Sequence, residues 1–357
     1  MTGNPEFSGA EQGDPGAALD LDAGPEPGTE PNILRRLGNP VQSVLHAHPS
    51  LGPLIVLVVA AIVFDLINGR FLSPTNLSIM LQQVAVIGLL ALGQTIIILT
   101  AGIDLSVGAV MILAQMVMAE LAVSNGLPVL LALVIGLLVA LVSGLLNGVL
   151  VTRFQVPPFI GTLGTLGVFT AVGLKYANGQ TLTPPTNSLL LWTGKLIGFG
   201  TFHITIGVLL MILLYLIVGY ALGRTAWGKH VYAVGDDAEA ARLTGIRTAR
   251  LLLSVYLVAG LVYGIAAWVQ VGRVGDASTD ISATLNLDSI TAVVIGGVSL
   301  FGGRGIVLGT LFGALIVQVF SNGLALAGVQ DLYQQLAEGI LVIAAVSLDR
   351  WIRKVRR

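Results

Sequence analysis

Long apolar runs recur along this chain of 357 residues from about position 51 onward. A helix that crosses the hydrocarbon core of a bilayer needs ~20 consecutive, predominantly apolar residues. Stretches that approach or reach this length occur at roughly 51–69, 80–101, 105–124, 128–152, 157–177, 201–222, 251–272, 287–301, 305–325 and 332–349. Because lipid offers backbone groups no hydrogen-bond partners, such stretches cross a membrane as helices. The pattern predicts an all-α integral membrane protein with about ten transmembrane helices.

The charge content supports a lipid environment and argues against several other classes of protein. Charged residues make up 10% of the chain, whereas about 25% is typical of soluble domains. The net charge of −1 argues against nucleic acid as a partner. The chain has no cysteine and its four histidines are scattered, so neither a disulfide framework nor a metal site is predicted.

Residues 1–33 differ in composition from everything that follows them. They are rich in Gly, Pro, Ala, Asp and Glu and contain no Lys or Arg. A segment of this kind buries too little apolar surface to offset the entropy that it would lose on ordering. We therefore predict a disordered acidic cytoplasmic tail at 1–33, followed by a transmembrane domain at 34–357.

The distribution of basic residues predicts the orientation of the chain, because Lys and Arg are enriched in cytoplasmic loops of membrane proteins. With a cytoplasmic amino terminus and an even number of spans near ten, fourteen of the eighteen basic residues lie inside. These are Arg35, Arg36, Arg153, Arg224, Lys229, Arg242, Arg247, Arg250, Arg304, Arg350, Arg353, Lys354, Arg356 and Arg357. The outer residues are Arg70, Lys175, Lys195 and Arg273. Both termini and the polar segment 223–250 are thus predicted to be cytoplasmic.

Two carboxylates interrupt the apolar runs at membrane depth. Asp104 lies in TAGIDLSVGAV and Asp288 lies in NLDSITAVVIGG. An ionisable residue inside a membrane is a functional hypothesis by default. Each also has the look of an N-cap, where a carboxylate accepts free backbone N–H groups and interacts favourably with the helix dipole. The sequence leaves both interpretations open, and they are compatible if the broken segment lines a cavity.

Uncharged polar side chains also lie within the predicted spans. Such groups could hydrogen-bond a hydroxylated solute, or they could join neighbouring helices through bonds of ~0.6–2 kcal/mol each. Together with the buried carboxylate they make up the translocation-path candidates Gln94, Asp104, Asn147, Thr162, Thr165 and Gln270.

Small residues recur at a spacing of four on several predicted helices, which lets helix backbones approach closely in a membrane. The sets are Gly136, Ala140, Gly144 and Gly148; Gly305, Gly309 and Gly313; and Gly260 and Gly264. Packing within the chain is the favoured interpretation, and a subunit interface or a pore-lining face is the alternative.

The polar segment 223–250 contains a short predicted helix. In Asp236-Asp237-Ala238-Glu239 the first Asp is predicted to be the N-cap and Glu239 the third helical residue of a capping box. Gly245 is predicted to end the helix, with Ile246 packing back on the last turn. An isolated helix shorter than ~12 residues is marginal in water, so this one must dock against something.

The neighbouring sequence GRTAWGKH at 223–230 approximates the phosphate-binding pattern GxxxxGK[ST]. It lacks the final Ser or Thr that holds magnesium, and an apolar span precedes it instead of a buried strand. We therefore predict no ATP site on this chain. The sequence also shows no arrangement of nucleophile and base, so the chain is not expected to be an enzyme by itself.

Several motifs in order resemble one family of membrane proteins. They are GQTIIILTAGIDLSVGA (93–109), NGVLVTRFQVPPFIGTLGTL (147–166), WGKHVYAVGDDAEAARLTGI (227–246) and ITAVVIGGVSLFGGRGIVLGTLFGAL (290–315). From about residue 50 onward the chain resembles the permeases of bacterial ABC importers for monosaccharides, the ribose/xylose/arabinose/galactose permease family. The segments VYAVGDD, SLFGGRG and DRWIRKV are most similar to those of the fructose-type permeases.

The resemblance implies a multi-pass protein of the bacterial inner membrane that works by alternating access. Its implied partners are a second permease copy, cytoplasmic ABC ATPase subunits, an extracytoplasmic sugar-binding protein and a monosaccharide. ATP and Mg would be used by the ATPase, and no cofactor would be bound by this chain. The coupling helix that contacts the ATPase would comprise Gly235, Asp236, Asp237, Glu239, Ala240, Ala241, Arg242, Gly245 and Ile246.

A self-sufficient secondary transporter of a small polar solute is the alternative function. Such proteins usually bury ionisable groups as proton or sodium relays. Here Asp104 is almost alone at depth, since Asp65, Glu120 and Lys175 fall near predicted outer ends. The sequence does not name the sugar.

Overall fold

The computed structural model describes residues 51–279, 284–330, 332–340, 342–343 and 347. The predicted tail at 1–33 and the basic segment 350–357 lie outside the described residues. Helices α1 to α6 span Leu51–Ile67, Pro74–Leu99, Val107–Ala119, Val129–Thr152, Pro158–Tyr176 and Ile206–Arg224. Helices α7 to α11 span Ala226–Asp236, Ala238–Leu243, Thr248–Val274, Thr284–Ile295 and Val307–Leu326. A further helical segment covers 332–340.

Seven helical segments in the described part of the chain are long and apolar enough to cross a membrane. They are α2, α4, α5, α6, α9 and α11, together with α3 and the π-helical turn Glu120–Ser124 that extends it. Helices α1 and α10 are apolar but shorter. The chain is therefore a predominantly helical, multi-pass membrane protein. Each of the predicted apolar stretches overlaps a helical segment, although not every segment reaches spanning length.

Helices α2 and α9 form the centre of the bundle. Helix α2 packs against α9, α10, α11 and α6, and α9 packs against α4 and α3 as well. Nearly every residue of α2 from Val84 to Leu99 is buried. A helix that is apolar on all sides has no face for water, and this central position gives every side of it a packing partner.

The outer helices expose apolar side chains, as expected for surfaces in contact with lipid. On α1, Ile55, Val59, Ile62 and Leu66 recur at helical spacing and are all exposed. Helix α6 likewise exposes Leu209, Leu213 and Leu216. In water such surfaces would drive association, but hydrocarbon tails solvate them without penalty.

A β-hairpin precedes helix α6, so the prediction of an all-α fold was wrong for this part of the chain. Strand β1 (Leu196–Phe199) pairs antiparallel with β2 (Phe202–Thr205). Gly200 in the connecting turn has φ 68°, a left-handed conformation that glycine adopts without steric penalty. The apolar stretch predicted at 201–222 therefore becomes a helix only from Ile206.

The predicted small-residue faces pack within the chain. An added Cβ at Gly144 of α4 would meet the backbone of α9, and one at Gly148 would meet the side chains of Leu253 and Tyr256 on α9. An added Cβ at Gly260 of α9 would lie 2.6 Å from the carbonyl oxygen of Ala140. Gly136 of α4 lies against Met118 of α3, and Gly264 of α9 lies against Ala140 of α4. Glycine lets α4 and α9 approach until their backbones touch.

On α11, Gly309 and Gly313 have the same use, because added Cβ atoms there would meet Gly296, which directly follows α10, and Ala292 of α10. Gly305 was wrongly placed on this face. It lies in the connection before α11, which begins at Val307, and its φ of 142° is not helical.

Candidate functional site

The chain breaks its helical path deep in the bundle between α2 and α3. Helix α2 ends at Leu99 and α3 begins at Val107, and Ala101 between them has φ 61°. Positive φ is uncommon for a residue with a Cβ atom and costs energy. Asp104 in this break is only 1% exposed. We refer to residues 100–106 as the α2–α3 break.

The carboxylate of Asp104 is bonded inside the break and is not the N-cap of α3. Its Oδ1 accepts hydrogen bonds from the Ser106 backbone N–H at 2.8 Å and from the Ser106 hydroxyl at 2.6 Å. Ser106 itself occupies the N-cap position of α3. Asp288 is not an N-cap either, because it lies inside α10. The capping interpretation was therefore wrong for both residues.

Side chains from α4 and α5 complete a hydrogen-bond network around the break. Asn147 of α4 donates to the Ser106 hydroxyl at 2.8 Å and accepts from the Thr165 hydroxyl of α5 at 2.7 Å. The Thr162 hydroxyl accepts from the Leu105 backbone N–H at 3.1 Å. Four of the translocation-path candidates thus converge on one site. Their polar groups bond to one another, to Ser106 or to the backbone of the break, which fixes the position of the break.

Gln94 is buried on α2 but is only half satisfied. Its Oε1 accepts from the Tyr263 hydroxyl of α9 at 3.3 Å, and its Nε2 has no partner among the described residues. The buried hydroxyl of Tyr256, also on α9, has no partner there either and lies beside Gly102 of the break. Buried unpaired polar groups are costly and mark places where water, a solute or a second conformation supplies the partner.

Gln270 does not belong to the network. It lies near the end of α9, where its Oε1 accepts from the Arg273 guanidinium at 3.1 Å.

The second candidate site is the polar segment after α6, which forms two helices. Helix α7 runs to Asp236, and α8 follows after the single residue Asp237, whose backbone is extended. The Asp237 carboxylate accepts from the backbone N–H groups of Glu239 and Ala240, at 2.9 Å each. The predicted N-cap Asp236 was therefore wrong by one residue, because α7 continues through it.

The predicted capping box is also absent from α8. Glu239 does not reach back to the cap; its carboxylate accepts from Arg242 at 2.6 Å in an exposed ion pair. The hydrogen bond and the positive charge of Arg242 lower the pKa of Glu239 below its usual range. Glu239 is therefore ionised throughout the physiological pH range.

The end of α8 follows the prediction at Gly245. This residue has φ 92°, and its N–H bonds to the Arg242 carbonyl at 3.0 Å. The Ile246 N–H bonds to the Ala241 carbonyl at 3.1 Å. These two bonds define a Schellman motif, which fixes both the length and the exit direction of the helix.

Helix α8 leaves most of its surface without contacts from the described part of the chain. Ala241 is its buried residue, whereas Leu243 is 77% exposed. Arg247 and Arg250 are exposed beyond it and line the same shallow groove as Ile246. A six-residue helix with capped ends, an exposed leucine and a basic rim suits a protein partner with an apolar pocket and acidic edges.

Sequence reasoning missed Leu243 and Ser106 as members of these sites. Leu243 is the one large apolar side chain in DDAEAARLTG at 236–245, which marks it as an anchor in an otherwise polar segment. Ser106 follows Asp104 by two residues, the spacing at which a carboxylate and a hydroxyl bond within one turn.

Comparison with known proteins places the chain among transport proteins. Residues 76–346 match the family described as the branched-chain amino acid transport system / permease component. The chain is 46% identical over 320 residues to the fructose import permease of Rhizobium meliloti, covering 88% of this chain and 89% of that protein.

Two further relatives are named as permeases for other sugars. The chain is 38% identical to the ribose import permease of Bacillus subtilis, covering 84% of this chain and 92% of that protein. It is 33% identical to the D-allose transport system permease of Escherichia coli, covering 84% and 91% respectively. No solved structure matches the chain.

Proposed function

Because the chain belongs to the family of branched-chain amino acid transport system permease components, and within it to the ABC sugar permeases, we propose that it forms the membrane pathway of an ATP-driven monosaccharide importer in the bacterial inner membrane. The observation that carries this proposal is helix α8, a short capped helix whose exposed face contacts nothing else in the described chain. Such a helix needs a docking partner to persist. The proposed partner is a cytoplasmic ABC ATPase.

The proposed topology has about ten spans with both termini in the cytoplasm. Helix α1 is 17 residues long, which corresponds to about 26 Å and nearly matches a ~30 Å hydrocarbon core. The segment that begins at 332 would return the chain to the cytoplasm. In this orientation the segment 225–247 faces the ATPase, and the β-hairpin faces the external sugar-binding protein.

The proposed mechanism is alternating access by two permease copies. ATP closes the ATPase subunits, which displace α8 and the helices attached to it. The two permeases then rock, and sugar passes from the binding protein into a cavity and on into the cell. ATP and Mg are held by the ATPase, so this chain contributes the pathway and the docking helix and no catalytic group.

Fructose or a ribose-like sugar is the proposed solute, because the relatives named above import fructose, ribose and allose. A sugar is uncharged and rich in hydroxyls, so a path with few ionised groups suits it. The α2–α3 break supports this reading, since the Asp104 carboxylate there is bonded to Ser106. We propose that the network around it positions the path and that Gln94 and Tyr256 are its free polar groups.

The proposal is tested by replacing the two residues that shape α8 in the complete transporter. We expect Glu239→Gln with Gly245→Ala to reduce sugar uptake at least tenfold, because the ion pair and the left-handed helix end are both removed. The matched control is Glu120→Gln with Gly126→Ala at the end of α3, where Gly126 has φ 65° and open space around it. Normal uptake in the first variant would refute the coupling role of α8.

A further inference from the structure

Helix α7 contacts two distant parts of the chain at a single point. An added Cβ at Gly235 would meet the Leu99 carbonyl oxygen, and it would lie 2.6 Å from the Gly303 nitrogen. An added Cβ at Gly303 would lie 2.8 Å from the Asp236 Cα atom. Leu99 is the last residue of α2, and Gly303 belongs to the connection between α10 and α11. Three backbones therefore meet with no side chain between them.

Hydrogen bonds fix this three-way contact. The Gly303 N–H donates to the Leu99 carbonyl at 3.0 Å, which satisfies one of the carbonyl groups left free at the end of α2. The Tyr232 hydroxyl of α7 donates to the Gly305 carbonyl at 2.8 Å. Burial raises the pKa of Tyr232, so the hydroxyl stays protonated and able to donate.

The glycine conformations show that the contact is specific. Gly302 and Gly303 have φ values of 83° and 70°, and an added Cβ at Gly302 would lie 2.6 Å from the Gly235 carbonyl oxygen. A side chain at either position would be strained by its φ and would also force α7 away. The sequence GG at 302–303 thus provides both the turn and the close approach.

Each segment at the contact leads directly to a candidate functional element. Asp236, at the end of α7, is separated from α8 by one residue. Leu99 is followed at once by the α2–α3 break that contains Asp104. Gly303 lies between α10 and α11, and Gly309 and Gly313 of α11 pack against the backbone of Gly296 and Ala292. A displacement of α8 that is transmitted through α7 would therefore reach the α2–α3 break and the α10–α11 connection together.

We infer that Tyr232, Gly235 and Gly303 form a transmission contact through which the docking helix acts on the α2–α3 break and on the α10–α11 connection. This inference rests on the proposed function and adds to it. Without the contact, motion of α8 reaches the membrane only through the covalently attached helices α6 and α9. With it, the same motion reaches the central helix α2, because packed elements transmit displacement through the atoms that touch.

The test uses the complete transporter in proteoliposomes, with the proposed ABC ATPase and sugar-binding protein. Uptake of radiolabelled D-fructose and D-ribose and hydrolysis of ATP are measured in the same sample. We expect Tyr232→Phe to lower the sugar imported per ATP hydrolysed about fivefold. This is the change in an equilibrium constant that the loss of one neutral hydrogen bond produces. Gly235→Ala is expected to lower it further, because its methyl group meets the Leu99 carbonyl.

Matched controls lie on the neighbouring helix α6. Tyr220→Phe removes a phenol that is 67% exposed, and Gly223→Ala adds a methyl group into open space. Both are expected to keep the ratio of the unmodified transporter. A merely structural loss would lower assembly and the unfolding temperature, whereas loss of transmission lowers sugar per ATP in an assembled, folded complex.

Two failures are distinguishable in this experiment. If the unmodified complex imports neither sugar with ATP, the proposed function fails. If it imports sugar and Tyr232→Phe keeps the same sugar-to-ATP ratio, the transmission contact is refuted while the proposed function stands. Should Gly235→Ala fail to assemble, Tyr232→Phe decides the question, since it removes one oxygen atom and adds no volume.

Discussion

Asp104 shows how a single residue can be identified correctly as important and still be given the wrong local role. Its position between two apolar runs is visible in the sequence, and burial in the structure agrees with it. Its partner, however, is Ser106 and the network beyond, not the first turn of α3. The sequence predicted which residue departs from the apolar pattern, but the bonding of that residue depends on α4 and α5.

The network around the break predicts a measurable loss of stability when Asn147 is replaced. Asn147→Leu keeps the volume but leaves the Ser106 and Thr165 hydroxyls without this partner, which costs about 1–3 kcal/mol. Thermal unfolding of the purified protein in detergent measures the change. The control Ser124→Ala alters an exposed hydroxyl and is expected to change stability by less than about 0.5 kcal/mol. Equal unfolding temperatures for the two variants would contradict a structural role for Asn147.

The contact between α4 and α9 makes a second prediction for a single residue. Gly144→Ala places a methyl group against the backbone of Tyr256 and Gly260, so α4 must move away from α9. We expect a loss of about 1–3 kcal/mol, the usual cost of overpacking. Gly167→Ala on α5, where an added Cβ meets nothing within 4 Å, serves as the control and is expected to unfold like the unmodified protein. If Gly144→Ala unfolds at the same temperature too, the close packing is not required.

At the scale of elements, helix α8 illustrates which features of a helix the local sequence determines. Gly245 was predicted to end it because few other residues adopt positive φ, and that choice depends on backbone sterics alone. The start was misplaced by one residue because both Asp236 and Asp237 are competent caps. The position of α7, set by its contact with Leu99 and Gly303, decides between them. A sequence read locally contains no information about that distant contact.

The exposed leucine of α8 predicts a loss of affinity for the ATPase on truncation. Leu243→Ala is expected to weaken binding of the ATPase at least tenfold, since an apolar residue central to an interface carries much of its energy. Co-purification and titration of the ATPase onto detergent-solubilised permease measure this effect. Leu196→Ala in the β-hairpin removes a leucine that is 60% exposed on another part of the molecule. Binding that is unchanged in Leu243→Ala, or reduced equally in both variants, would exclude Leu243 as an anchor.

The ion pair on α8 predicts how this interface responds to pH. Because Arg242 depresses the pKa of Glu239, the contribution of the pair is present above the ordinary pKa of a glutamate. It is lost only as the pH falls through the lowered value. ATPase binding measured between pH 6 and pH 8 should therefore not change through this pair. A steep dependence in that range that disappears in Glu239→Gln would contradict the assignment.

The β-hairpin shows the opposite limit of sequence reasoning. Its strands, Leu196–Phe199 and Phe202–Thr205, are short and apolar and adjoin a long apolar helix. Hydropathy therefore merges the second strand with the span that follows it. The pair of glycines at 198 and 200 was the local signal for a turn.

At the scale of the whole molecule, the membrane class and the family could be predicted from the sequence, because apolar runs and ordered motifs are properties of the chain itself. The central position of α2 could not, since it depends on which helices pack on which. The contact of α7 with Leu99 and Gly303 joins segments that lie more than sixty residues apart along the chain, and hydropathy gives no sign of it. Tyr232 and Gly303 were missed for that reason.

The most direct test of the account is whether sugar uptake depends on the ATPase. Proteoliposomes containing the permease, the binding protein and either the ATPase or no ATPase are supplied with D-fructose and D-ribose, with and without enclosed ATP. We predict accumulation of at least one sugar only when both the ATPase and ATP are present, and no effect of a proton uncoupler. Uptake that persists without the ATPase and is abolished by the uncoupler would contradict the account and identify a self-sufficient secondary transporter.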